Sequence, residues 1–184
     1  MKVISLLLCF ILYASTNFCQ QVDLNQFNKE RQKISKTGIK ILTGYTVANI
    51  IYGSIASSQT TGSTHYFHQM NAIWNGITLG FLGVGMITAK KEMDLNYASS
   101  LTKQNNIEKV FLFNAGLDLA YIAGGAYLNE RSKNAANSTT LSGYGESIMI
   151  QGGVLLLFDA IMYSIHQHHG KKLIRMAEKI SFKN

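Results

Sequence analysis

Asp118 and Asp159 are the residues of this chain whose setting demands most of chemistry, because each stands inside a stretch that is otherwise apolar. An ionised carboxylate at the centre of a membrane helix costs about 2.5–3.5 kcal/mol even on the gentler insertion scale. Such groups turn inward and find partners. On neighbouring antiparallel helices these two would differ in depth by only about 4–5 Å at the helical rise of 1.5 Å per residue, so they are placed to share a proton. Amides and phenols surround them at helical spacing. Tyr45, Asn49 and Tyr52 lie on one helical face, and Asn114, Asp118 and Tyr121 repeat the pattern. His68, Asn71 and Asn75 share a face of the next apolar stretch with Trp74 beside them, and Gln151 precedes Asp159 on the last. Together these residues make up a candidate polar core. Two uses are open to it: lining a small polar cavity or proton path, or hydrogen-bonding across helices to fix their register. Asn and Asp in apolar helices serve the second purpose more often.

Other chemistries find little support. Both cysteines, Cys9 and Cys19, fall in the first twenty residues, inside a leader-like segment, which excludes an internal disulfide framework and a cysteine metal site. His65 and His68 open one apolar stretch, whereas His166, His168 and His169 close another that would end on the opposite side of a membrane. The two groups cannot share one ion, and a histidine tract at a helix end reads as an interfacial anchor. No histidine lies deep enough for haem between helices. Nothing has the spacing of a catalytic, cofactor or metal site, so the sequence points away from an enzyme.

The elements that would carry these residues follow from where charge is missing. Hydrophobic residues make up 47% of the 184, which is ordinary for a soluble protein, but their distribution is not. From Ile41 to Ala89 there is no Asp, Glu, Lys or Arg across 49 residues. That is room for two membrane spans of about 20 residues and a turn, and a soluble helix pair would need a charged face toward water. The pattern predicts four spans, at 37–58, 68–89, 109–128 and 145–165, joined by polar connections at 60–64, 90–108 and 129–143. There is no proline, and 16 glycines permit close helix contacts. Ahead of the spans, Lys2, the apolar run from Val3 to Ala14 and the small or polar Ser15, Thr16 and Asn17 have the order of a secretory signal peptide. The domain plan is therefore a signal peptide at 1–19, a polar segment at 20–36, a transmembrane domain at 37–170 and a basic tail at 171–184.

A weak internal repeat refines this plan. Shifting the third span by 69 residues lays Asn114 on Tyr45, Asp118 on Asn49 and Tyr121 on Tyr52, and a shift of 77 lays Gly153 on Gly76 and Phe158 on Phe81. The expected fold is all-α: a four-helix transmembrane bundle made of two parallel-repeat helical hairpins.

Charge sets the partners. The net charge is +7, and of 17 Lys and Arg only Arg131 and Lys133 would lie opposite the side that carries the pre-span segment, the second connection and the tail. This is a topology signal rather than a nucleic-acid footprint; no nucleic acid is expected. The lipid bilayer is the expected partner, with a homo-oligomer or another membrane protein also open, and the basic tail suits anionic headgroups. Orientation stays open, because the positive-inside rule puts both mature termini in the cytoplasm while an export signal would send the N-terminus out.

The run Tyr66-Phe67-His68-Gln69-Met70-Asn71 with Trp74-Asn75, followed by a glycine-rich helix, resembles an uncharacterised family of small four-helix membrane proteins from Bacteroidetes, a domain of unknown function. The resemblance implies a multi-pass protein of a bacterial inner membrane and no particular activity, cofactor or substrate. The function expected is that of a structural or assembly protein with a hydrogen-bonded polar core; the alternative is a small transporter or solute- and proton-binding protein using Asp118 and Asp159.

Overall fold

The computed structural model of the chain describes the backbone of residues 2–88 and 95–181, with side chains over 24–84 and 95–178. The described residues form four helices: α1 Lys2–Gln59, α2 Gly62–Thr88, α3 Tyr97–Ser132 and α4 Ser138–Ser181. The absence of proline lets them run long. Their ends are marked by local chemistry. Asn96 caps α3 by accepting a 2.8 Å hydrogen bond from the Ser99 amide. Between α1 and α2 the reversal takes two residues, and Gly62 at φ +63° adopts the left-handed conformation that a side chain would disfavour.

The helices extend well past the apolar stretches. Residues 97–108, expected as connection, form the first turns of α3; residues 129–132 and 138–143 are helical as well, leaving 133–137 as the link to α4. The polar segment at 20–36 belongs to α1, and the basic tail is helical to Ser181. Tertiary packing explains this. Ser100 and Gln104 are fully buried against α1 and α4, and Phe27 and Leu173 are buried at the same end. An amphipathic extension gains its stability from that burial rather than from intrinsic propensity. The expected leader lies in α1 outside the residues whose side chains are described, as do the end of the second expected span at 85–89 and the end of the tail.

α1 packs along α2 and α3 along α4, and the two hairpins meet mainly through α2 and α4. The order across the bundle is thus α1, α2, α4, α3, with the first helix of each hairpin on a flank. α1 reaches α3 near Asn28, Arg31 and Ser100, at the end that carries residues 166–173 of α4.

The distribution of polarity is inverted relative to a water-soluble bundle. Among the described residues the buried hydrophobic side chains are Phe27, Met162 and Leu173, whereas Thr46, Asn71, Asn75, Asp118, Gln151 and Asp159 are all buried. Outside, Ile41, Ile51, Ile55, Ile77, Val84, Leu112 and Leu157 are exposed, Phe113 is 68% exposed and Phe81 75%. α3 and the Ser138–Glu178 part of α4 are long and apolar enough to cross a membrane. Among the described residues these two helices meet that measure, against the four spans expected.

Glycine sets the closest helix approaches. A Cβ on Gly145 would lie 2.6 Å from the carbonyl oxygen of Gly125, and one on Gly125 would lie 2.6 Å from that of Gly145. Gly53 approaches α2 in the same way, 2.8 Å from the His68 oxygen. A Cβ on Gly76 or Gly153, paired by the repeat, would meet nothing within 4 Å. We expect Gly145→Leu to force α3 and α4 apart and to cost about 1–3 kcal/mol, as overpacking does, while Gly153→Leu leaves thermal unfolding of the chain unchanged.

Candidate functional site

The candidate core divides into two centres. In the first, a ring of hydrogen bonds clasps three helices. Tyr45 Oη donates to Gln151 Oε1 at 2.9 Å, the Gln151 amide donates to Asn71 Oδ1, Asn71 Nδ2 donates to Asn49 Oδ1 at 3.0 Å, and Asn49 Nδ2 donates to the Tyr45 carbonyl at 2.9 Å. Asn75 Nδ2 joins from below, 2.8 Å from the Asn71 carbonyl and 3.3 Å from its Oδ1. α1 supplies Tyr45 and Asn49, α2 supplies Asn71 and Asn75, and α4 supplies Gln151. Each side chain is there because residues four apart on a helix share a face. A buried amide without partners costs the full desolvation of its polar atoms, and here the amides satisfy one another.

The second centre joins α3 and α4. Asp118 and Asp159 are both buried, at 3% and 6% exposure, and their carboxyl groups are close enough to act on each other. Asp118 Oδ2 has no hydrogen-bond partner. Asp159 and Asn114 stand at one end of a partly open cavity of about 450 Å³ between α1, α3 and α4. Gly152, with the Asp118 carbonyl 3.1 Å from the place of a Cβ, lets α3 come close enough for the aspartates to meet.

The remaining candidates take other places. Tyr52 is 62% exposed and Tyr121 is 37% exposed, so neither phenol belongs to the clasp. Their rings instead border buried groups: Tyr52 stands edge-on to His68 at 5.3 Å, and Tyr121 edge-on to Trp74 at 4.7 Å. His68 Nδ1 and Trp74 Nε1 are buried with no hydrogen-bond partner. His65 is anchored to the Ser57 carbonyl across the α1–α2 turn at 2.6 Å, and Gln69 accepts from Tyr144 Oη at 2.7 Å, which ties α2 to α4 a second time.

A third polar cluster, at the basic end, is invisible to a search confined to the apolar stretches. Arg31 is fully buried, donates from Nη1 to the Ser100 carbonyl at 2.9 Å and sits 5.7 Å from the Phe27 ring. Gln104 donates to the His166 carbonyl at 2.6 Å and to Glu108 at 2.8 Å. His166 stacks on Phe111 at 5.5 Å with Nε2 3.3 Å from Ser35 Oγ, and His169 stacks on Phe27 at 4.2 Å. The histidines expected as interfacial anchors divide accordingly: His166 and His169 are interior, His168 exposed. Burial holds the His166 imidazole at about 4, down from the ordinary 6.5, with the charges of His169 and Arg31 adding to the effect. His169 is also lowered, first by burial and then by Lys172. His169 Nε2 lies 3.4 Å from the Glu30 carboxylate, an ion pair only when the imidazole is protonated; Lys172, 2.5 Å away, holds the Glu30 carboxyl below its usual range. No group of three or more His, Cys, Asp or Glu among the described residues is arranged to hold a metal ion. The signal for this cluster was present in the sequence: the 69-residue shift continued downward lays Ser100 on Arg31 and Gln104 on Ser35.

A family model matches residues 41–160, about two thirds of the chain. The chain belongs to DUF6992, a family of unknown function. The DUF6992 segment takes in every residue of the clasp and the aspartate pair and stops short of His166 and His169. No curated protein and no solved structure matches the chain.

Asn71→Ala removes the hub of the clasp and leaves Gln151 and Asn49 each short of a partner; we expect a loss of about 1–3 kcal/mol in thermal or denaturant unfolding. The basic end adds a pH dependence. Because the folded pKa of His166 lies below the unfolded value, its contribution to stability is complete above pH 6.5 and is lost as pH falls toward about 4. Glu30 acts in the same direction below about 4.5. His166→Gln should flatten the unfolding profile between those limits, read as melting temperature against pH.

Proposed function

We propose that this DUF6992 protein is an integral membrane protein that crosses a bacterial inner membrane four times and serves as a structural or assembly component. The inverted distribution of polarity carries the reading. A belt of Ile, Val, Leu and Phe faces outward on all four helices around buried Asn, Gln and Asp, and water would penalise that surface by roughly 25 cal/mol for each Å² left exposed. In hydrocarbon the same belt costs nothing, and the inward amides gain because lipid offers no competing hydrogen bonds. Although among the described residues α3 and α4 are the helices with the required mean hydropathy, Ile41, Val47, Ile51 and Ile55 on α1 and Ile73, Ile77, Phe81 and Val84 on α2 are exposed too. A crossing by α3 and α4 alone would leave those faces in water. The closed clasp supports a structural role, since its amides are spent on each other rather than presented to a solute. The taxonomic setting and an export leader rest on the sequence resemblance and on the order of residues 2–19.

A second reading is favoured by one observation, the cavity that reaches Asp159. A buried aspartate pair at the end of an accessible space can exchange a proton or bind a solute. The two readings separate on the double variant Asp118→Asn, Asp159→Asn, which keeps hydrogen-bonding capacity and removes titration. For a structural component the double variant assembles and accumulates in membranes like the parent; loss of a proton flux or pH response measured in proteoliposomes, with assembly intact, selects the second reading. Membrane residence itself is tested by alkaline extraction of isolated membranes. The chain should stay in the pellet, and a monodisperse species in detergent-free buffer would overturn the assignment.

A further inference from the structure

The cavity between α1, α3 and α4 has an electrostatic feature that the clasp does not use. Asn114 and Asp159 stand at its inner end, and its walls are apolar, among them Ile39, Leu42, Phe111 and Phe158. Asp159 is 6% exposed, and the group that acts on its carboxyl is a second carboxyl, that of Asp118. Asp118 Oδ2 has no hydrogen-bond partner. Among the described residues no lysine, arginine or histidine is paired with either aspartate. A buried carboxylate is ordinarily matched by a cation; this pair has open space beside it and no cation from the chain. Lys103, at the opposite end of the cavity, is engaged within the chain and stands eleven residues of α3 from Asn114, or about 16 Å at the helical rise. It takes no part at the inner end.

We propose that the cavity is a binding site for an organic monocation with an apolar, aromatic body, its charge beside Asp159 and its body against the apolar walls. The proposal rests on the second reading above, in which the aspartate pair binds a solute, and it names the chemistry of that solute. Size, walls and charge select the class together. The volume of about 450 Å³ falls within the roughly 300–1,000 Å³ of small-molecule sites, and Val110, which is 55% exposed, leaves the cavity open to the outside. An inorganic cation would demand several oxygen ligands, which apolar walls do not supply. An anion would meet two carboxyl groups, and a neutral apolar molecule would leave the carboxylate unmatched. Phe111 and Phe158 add to the preference, because aromatic rings attract organic cations. Where the pair holds protons, the entering cation displaces one to the medium, and the net charge of the cavity is unchanged.

The test uses two ions of one shape and opposite charge. The full chain in mild detergent is dialysed to equilibrium against radiolabelled tetraphenylphosphonium, and in a parallel cell against tetraphenylborate. We expect saturable binding of one phosphonium per chain and no saturable binding of the borate. Asp159→Asn keeps a hydrogen-bonding group of the same size and should weaken phosphonium binding by roughly thirtyfold or more, as loss of one partner of a buried charge pair does. Val110→Trp, at an exposed position of the lining, should weaken it too by narrowing the cavity without touching either aspartate, with helicity by circular dichroism as the check on folding of both variants. Equal binding of the two ions, or phosphonium binding unchanged by Asp159→Asn, would overturn the cation site. A parent chain that binds no phosphonium, yet loses a proton flux in the double aspartate variant, would overturn it while leaving the second reading standing. With neither binding nor flux, both fall.

Discussion

The hydrogen bond from Gln151 to Asn71 joins the two hairpins at the centre of the molecule, and the rest of the architecture is arranged so that this bond can form. Gln151 must reach α2 while accepting from Tyr45 on α1, which requires α4 to lie in the groove of the first hairpin. That position in turn presses α3 to the far side of α4, where Gly125, Gly145 and Gly152 allow the backbones to touch and Asp118 to meet Asp159. In the membrane proposed above an amide would have no water as an alternative partner, so a ring of four side chains would determine a helix order that apolar packing alone leaves degenerate. The apolar residues contribute little to the interior; they cover the outside.

Part of this was legible from residue spacing. Helical periodicity placed Tyr45 with Asn49 and Asn71 with Asn75, and the near-equal depths of Asp118 and Asp159 brought them together on antiparallel neighbours. Spacing did not show that Tyr52 and Tyr121 look outward, because a face of a helix spans enough arc for one end to contact a neighbour and the other to leave it. Gln151 joins the clasp only because α4 reaches both α1 and α2, a tertiary fact with no local signature. Helix ends were misjudged for a related reason. Residues 97–108 are too polar to read as a span, and the inference that polar means connection fails where a second and third helix are present to bury Ser100 and Gln104.

The basic end again buries polar side chains. There α1, α3 and α4 continue together beyond the apolar belt and bury Arg31, His166 and Gln104 alongside Phe27 and Leu173. Aromatic rings do the work that aliphatic side chains do in a soluble core, with Phe27 beneath His169 and Phe111 beneath His166. The family match ends at residue 160, before this cluster's α4 residues. The DUF6992 segment thus contains the clasp and the carboxyl pair as one unit, and the histidines form an extension on it.

The turn at Gly62 bears on how the molecule can move. With two residues between α1 and α2 and a left-handed glycine fixing the reversal, those helices have no slack for sliding along each other. Five residues separate α3 from α4, and Gly125 against Gly145 locks that pair by shape. Each hairpin therefore behaves as a rigid lever, and any large rearrangement must be a tilt of one lever about the other, with the α2–α4 contact as its fulcrum.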